Sequence, residues 1–162
     1  MERITDVLCA NNYYSTLVMT ITEKLSHLKA INIKTLFDDV LKENEETILD
    51  MNRSQMYDEG VMNINNPGTV EHYSPATIKN KKRAPFNKTE FITLKWMGNF
   101  HKALKLIIFK DTFLISSDNR IWANFLEPQD RFESALGMTE KSKGELRELS
   151  RDELIKKIKS EL

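Results

Sequence analysis

The side chains that most often do chemistry are scattered in this sequence. His27, His72 and His101 stand far apart, and the single cysteine, Cys9, has no histidine or carboxylate close behind it. A metal centre needs several ligands at short spacing, and a thiol nucleophile needs a base beside it. The histidines therefore read as unrelated surface or boundary residues, and Cys9 as a small buried or boundary residue. A phosphate-binding loop needs glycines clustered after a strand, and the five glycines here are dispersed. Adjacent carboxylates occur in Asp38-Asp39 and Glu45-Glu46. They fall on the outer face of an expected helix, where carboxylates are solvated. No catalytic residue, cofactor-binding residue or metal ligand is assigned, and no enzymatic activity is expected.

Two groups of residues point instead to contact. Between positions 79 and 88 the chain carries Lys79, Lys81, Lys82, Arg83 and Lys88 with no acid among them. Such a run can meet phosphates in a weak, salt-sensitive, sequence-blind way. It can equally meet an acidic face on a neighbouring copy, or remain a solvated loop. Phe86 alone makes no base-stacking platform. The second group is aromatic: Trp96, Phe100, Trp122 and Phe125. Core packing is the default for such residues, and anchoring at an interface is the alternative.

The frame that holds these groups is ordinary in size and composition. The chain has 162 residues, 40% hydrophobic and 30% charged, with 24 basic residues balancing 24 acidic ones. That suits one domain over residues 1–162 with its own core. A protein that coats nucleic acid by charge alone is clearly basic, and this chain as a whole is not. One cysteine permits no internal disulfide, which fits synthesis in a reducing cytoplasm. The N-terminus lacks an apolar run of signal-peptide length. No window approaches the roughly 20 apolar residues of a membrane span.

Apolar periodicity predicts the elements. Leu17, Ile21, Leu25 and Leu28 share one face of a helix over residues 13–28. Phe37, Val40, Leu41, Ile48 and Met51 stripe a second, uninterrupted helix over residues 34–56, whose other face is acidic. It should stop near Gly60, which can take the left-handed C-cap conformation. A long loop follows over residues 61–93. Within it Ser74 caps a short helix that starts with Pro75. Residues 91–94 have strand composition. Gly98 breaks that pattern, and Asn99 either caps one helical turn or leads straight into a strand. Residues 104–109 and 113–117 form a hairpin with Asp111 at its turn. Trp122, Phe125 and Leu126 form a short helix or an aromatic anchor. Thr139 caps a helix with Leu146 and Leu149 inward, and Ser150 to Glu153 reads as a second capping box. Residues 13–60 are thus helical, 91–117 strands, and 122–162 a helical C-terminal part. The class is α+β: amphipathic helices at both ends around a small central antiparallel sheet.

Residues 48–138 resemble a group of small phage and prophage proteins, especially of Bacteroidetes type, related to the virion-morphogenesis and tail-completion families. The resemblance is carried by the helix end Gln55-Met56-Tyr57-Asp58-Glu59-Gly60, by Tyr73-Ser74-Pro75-Ala76-Thr77-Ile78-Lys79, by Thr93-Leu94-Lys95-Trp96-Met97-Gly98-Asn99-Phe100, by the strand pair around Lys110-Asp111, and by Leu136-Gly137-Met138-Thr139. Such proteins usually read Leu-Lys-Asp-Thr-Gly-Asp-Phe where this chain has residues 94–100. Only Leu94, Lys95, Gly98 and Phe100 match, and Met97 cannot cap as a Thr would. The resemblance implies a virion protein at the head–tail junction or tail, without catalytic residues or a cofactor. Its implied partners are copies of itself in a ring and neighbouring head–tail or tail proteins, with non-specific contact to packaged DNA through the basic segment as a further option. A nucleic-acid-binding accessory protein using residues 79–88 is the alternative. A tail-attached hydrolase would require a clustered acidic or histidine site, which the sequence does not offer.

Overall fold

A computed structural model describes residues 21–109, 112–118 and 134–161. Its elements are α1 (Ile21–Ala30), α2 (Ile33–Glu43), α3 (Glu45–Tyr57), α4 (Pro75–Lys81), α5 (Asn99–Lys102), β1 (Leu104–Ile108), β2 (Phe113–Ser117) and α6 (Glu140–Ser160). The class is α+β, with helices at both ends and one two-stranded antiparallel sheet among the described residues. None of the described helices is long and apolar enough to cross a membrane. Of the first expected helix, residues 13–20 lie outside the described residues.

The single helix expected over residues 34–56 is two helices. The chain bends at Asn44, where φ is −103° and ψ is 14°. The Asn44 side chain donates to the Val40 carbonyl at 2.9 Å and also to the Glu153 carboxylate. A short amide that bonds nearby backbone competes with helix geometry. The bend lets α2 pack on α6 while α3 packs on β1, which one straight rod could not do. Beyond α3, Gly60 takes φ of 72° as expected, and Val61 N–H donates back to the Gln55 carbonyl at 2.9 Å. That return bond turns the chain back across the last turn of α3.

Ile48, Leu49 and Met56 on α3 bury against Met62, Ile92, Phe100, Leu104, Ile115, Ala135, Met138 and Leu146. Each such side chain contributes roughly 1.5–3 kcal/mol by leaving water. Two amides share this buried face. Asn52 donates to the Gly137 carbonyl at 2.6 Å, and Gln55 donates to the same oxygen at 2.9 Å. The Gln55 Oε1 accepts from Thr139 N–H at 2.9 Å and from its hydroxyl at 3.2 Å. The entry to α6 is thereby held by α3, and Thr139 in turn caps α6 through Ser142 N–H at 3.3 Å.

The hairpin pairs Leu104 with Ser117 through to Ile108 with Phe113. Leu104 and Ile115 enter the core, and Leu106, Ile108 and Phe113 pack against it. Asp111, expected at the turn, lies outside the described residues. Residues 91–94 form no strand. Ile92 N–H bonds the Glu71 carbonyl, Thr93 N–H bonds the Tyr73 hydroxyl, and Leu94 has φ of 51°. A bulky residue in the left-handed region interrupts an extended run. Asn99 is the first residue of the helical turn α5, and Gly98, with φ of 84°, is its cap. Ser150 starts no new helix. It is buried within the continuous α6, in register with Ser142 and Leu146 at steps of four.

Candidate interaction surface

α4 forms as expected. Ser74 Oγ accepts from Thr77 N–H at 3.2 Å, and Pro75 fills the first turn. The helix presents Lys79 outward, and the turn after it presents Lys82 and Arg83, all exposed. None of these three forms an ion pair with a described residue. Lys81 does something else: it is fully buried. Its ammonium donates to the carbonyls of Phe86 and Lys95, each at 2.6 Å. It also sits 5.4 Å from the Tyr73 ring centre and 5.9 Å from that of Trp96. Burial pushes its pKa down. Lys81 therefore leaves the expected contact set. It is a pin that ties the end of α4 to the loop leading to α5.

Lys88 is half-buried. It donates to the Asp58 carbonyl at 3.2 Å and lies 4.5 Å from the Phe91 ring and 5.4 Å from that of Tyr57. Lys95 lies 4.3 Å from the Tyr57 ring and 4.4 Å from that of Phe86. Those two rings meet edge-on with centres 6.2 Å apart. Cations over ring faces are favourable by about 0.5–1 kcal/mol at exposed sites. Here they order residues 82–98 as a ribbon of alternating cation and ring. The signal was present in the alternation Lys81, Phe86, Lys88, Phe91, Lys95, Trp96, and treating Phe86 by itself missed it.

Of the aromatic group, Trp96 is 41% exposed beside Met97, while Phe100 is only 6% exposed and belongs to the core. Phe100 thus serves this chain's own interior rather than an interface. Its position in α5, turned inward by the Gly98 cap, accounts for the difference. Trp122 and Phe125 lie outside the described residues.

Below the ribbon, Glu46, Arg53, Phe86, Lys95, His101 and Lys102 line a recess of about 440 Å³. Arg53 Nε donates to the His101 carbonyl at 3.0 Å, and its other donors hold Glu46 and Asp50 at 2.5 and 2.7 Å. The His101 ring is buried, with Nε2 at 2.9 Å from the Thr93 carbonyl. A carbonyl only accepts, so Nε2 carries the proton. Burial pushes the His101 pKa down to about 4, helped by the charges of Lys95, Arg53 and Lys81 and opposed by the Thr93 bond. Among the described residues, no group of three His, Cys, Asp or Glu side chains could hold a metal ion. The acidic face of α2 and α3 is engaged within the chain: Glu43 with Lys157 at 2.7 Å, Glu46 and Asp50 with Arg53, and Asp39 with Lys42.

No protein-family model matches the chain, and no curated protein or solved structure shows significant similarity to it. Function must therefore be argued from the surface itself. Among the described residues the surface offers the exposed cations Lys79, Lys82 and Arg83 of the basic segment, an exposed Trp96 and Met97, and the apolar stripe of α1. Ile21, Leu25 and Leu28 are 86%, 50% and 43% exposed, and no residue of α1 is buried.

Proposed function

We propose that this protein is a structural or assembly subunit of a phage virion, acting at the head–tail junction or in the tail as a neck, connector or tail-completion subunit within a homo-oligomeric ring. The observation that carries the assembly part is α1. Over its described residues this helix turns Ile21, Leu25 and Leu28 to solvent and buries none of its side chains. Ile33 and Phe37 of α2, also exposed, continue the apolar surface. Such a ridge is stabilised when a neighbouring copy covers it. The resemblance of residues 48–138 supports the virion setting.

The test is mass. Purified protein, alone or with head–tail partners, should form closed oligomers by native mass spectrometry. Leu25→Asp with Leu28→Asp should reduce them to monomers while the circular dichroism of the rest persists. A chain that remains monomeric in every mixture sinks the reading.

A second reading, a nucleic-acid-binding accessory protein, is favoured by Lys79, Lys82 and Arg83, which are exposed and form no ion pair with a described residue. With Lys81 buried, these three set the salt dependence of DNA binding. The slope of log affinity against log salt should be about −2.7, and it should vanish when all three become Ala.

A further inference from the structure

β2 has two edges, and β1 covers one. Phe109 N–H bonds the Thr112 carbonyl at 2.8 Å, and Asp118 N–H bonds the Ala103 carbonyl at 3.2 Å. With the register above, the even-numbered residues of β2 turn their backbone groups to β1. The N–H and C=O of Phe113 and Ile115 therefore point the other way, and no described residue bonds them. The corresponding outer edge of β1 is covered: Glu45 accepts from Leu106 N–H at 3.4 Å, and α3 packs there. Ser117, which faces the same way, is engaged, so the stretch that no described residue covers is Phe113 to Ile115, and such an edge is a template for another strand.

Beside this edge runs an apolar groove of about 580 Å³. Phe113 and Ile115 form one wall, Leu136 and Met138 the floor, and Leu146 and Leu154 of α6 the far side. One row along α6 from the buried Ser142, Leu146 and Ser150 stand Lys143, Arg147 and Arg151, which also line the groove. Steps of four place these cations about 6 Å apart along the helix. Alternate side chains of an extended chain are about 6.7 Å apart, so the two repeats stay in step over three residues. Lys143 and Arg151 make exposed pairs with Glu140 at 2.7 Å and Asp152 at 3.1 Å. Pairs of that kind contribute little and exchange readily. Arg147, in the middle, pairs with no described residue.

We infer that the groove between β2 and α6 receives an extended peptide segment of a partner protein, which adds as a strand to the edge at Phe113 and Ile115, with alternate apolar side chains in the groove and acidic side chains against Lys143, Arg147 and Arg151. Main-chain bonds to the edge supply affinity and the alternating pockets supply specificity, as in other strand-addition sites. The charge row selects acidic over basic segments. Phe37 borders both this groove and the apolar surface that continues from α1, but the edge at Phe113 and Ile115 and the cation row of α6 belong to this site alone, so its test is independent of the assembly reading.

The probe is an acetylated, amidated octapeptide of alternating Val and Glu, titrated by fluorescence anisotropy against the full chain. It should bind saturably, while the Val–Lys octapeptide should not. N-methylation of alternate amides should abolish binding, and the amides of Phe113 and Ile115 should become protected from exchange by NMR. Arg147→Glu, at an exposed position that leaves the circular dichroism unchanged, should weaken binding about tenfold, as expected for loss of a charge-assisted bond. Four results would each overturn the inference: no saturable binding, equal binding of the Val–Lys peptide, unchanged exchange at Phe113 and Ile115, or indifference to Arg147→Glu. Displacement of the peptide by decanoate with those two amides unprotected would identify a fatty-anion site and also overturn it.

Discussion

The Lys81 ammonium meets the Lys95 carbonyl at 2.6 Å across fourteen residues of chain, so the closing bond of the basic loop comes from a residue of the basic run itself. Lys81→Met keeps the apolar stem and removes the donor. The carbonyls of Phe86 and Lys95 are then left without it. A buried acceptor without its charged donor costs about 1–3 kcal/mol. Urea unfolding should show a loss in that range. Trp96 fluorescence should shift as well, because the ring stands 5.9 Å from the missing charge.

His101 makes stability depend on acid. Its folded pKa is about 4, against an ordinary value of 6.5. Above pH 6.5 the ring is neutral in both states and the contribution is fully present. As pH falls, the unfolded chain takes up its proton first, so stability declines from about pH 6.5 to about pH 4 and then levels. The total is roughly 3 kcal/mol at 1.36 kcal/mol per unit. His101→Gln should flatten this part of a stability-against-pH curve measured by urea unfolding. An unchanged slope between pH 6.5 and 4 would count against a buried neutral ring.

Gln55→Leu removes the only described side chain that both donates to the Gly137 carbonyl and accepts from Thr139 N–H. The volume is nearly kept, so the effect is the lost bonding, about 2 kcal/mol. Hydrogen exchange should locate it. The amides at the start of α6 should speed up before those of the hairpin.

Two glycines should respond in opposite senses to alanine. At Gly60, with φ of 72°, a Cβ would stand 2.7 Å from the Phe91 ring. Gly60→Ala should destabilise by roughly 2 kcal/mol. At Gly144, inside α6, a Cβ meets nothing within 4 Å. Gly144→Ala should stabilise by up to about 1 kcal/mol. Thermal denaturation of both variants decides it.

What the sequence made legible was local. Ser74 and Pro75 announced α4, Thr139 announced α6, and the β-branched runs announced the hairpin, because caps and alternation act within a few residues. What it concealed came from distant partners. Asn44 reads as an unremarkable helix residue until Glu153, 109 positions away, draws its side chain. Lys81 looks like its neighbours Lys82 and Arg83, and only the return of residues 86–95 over α4 buries it. Residues 91–94 have strand composition, but Tyr73 and Glu71 take their backbone donors one at a time. Ser150 has the type and spacing of a cap, yet lies against the interior as a small residue on α6's inner face.

The bend at Asn44 has a mechanical consequence. α2 is moored by the far end of α6, through Asn44 to Glu153 and Glu43 to Lys157, whereas α3 is moored by the hairpin and the 135–139 segment. The two halves of what looks like one acidic rod share the core through Leu41, yet their polar ties run to opposite ends of the chain's last helix. Fraying the last turns of α6 would loosen the outer end of α2 first, while Leu41 and α3 stay seated.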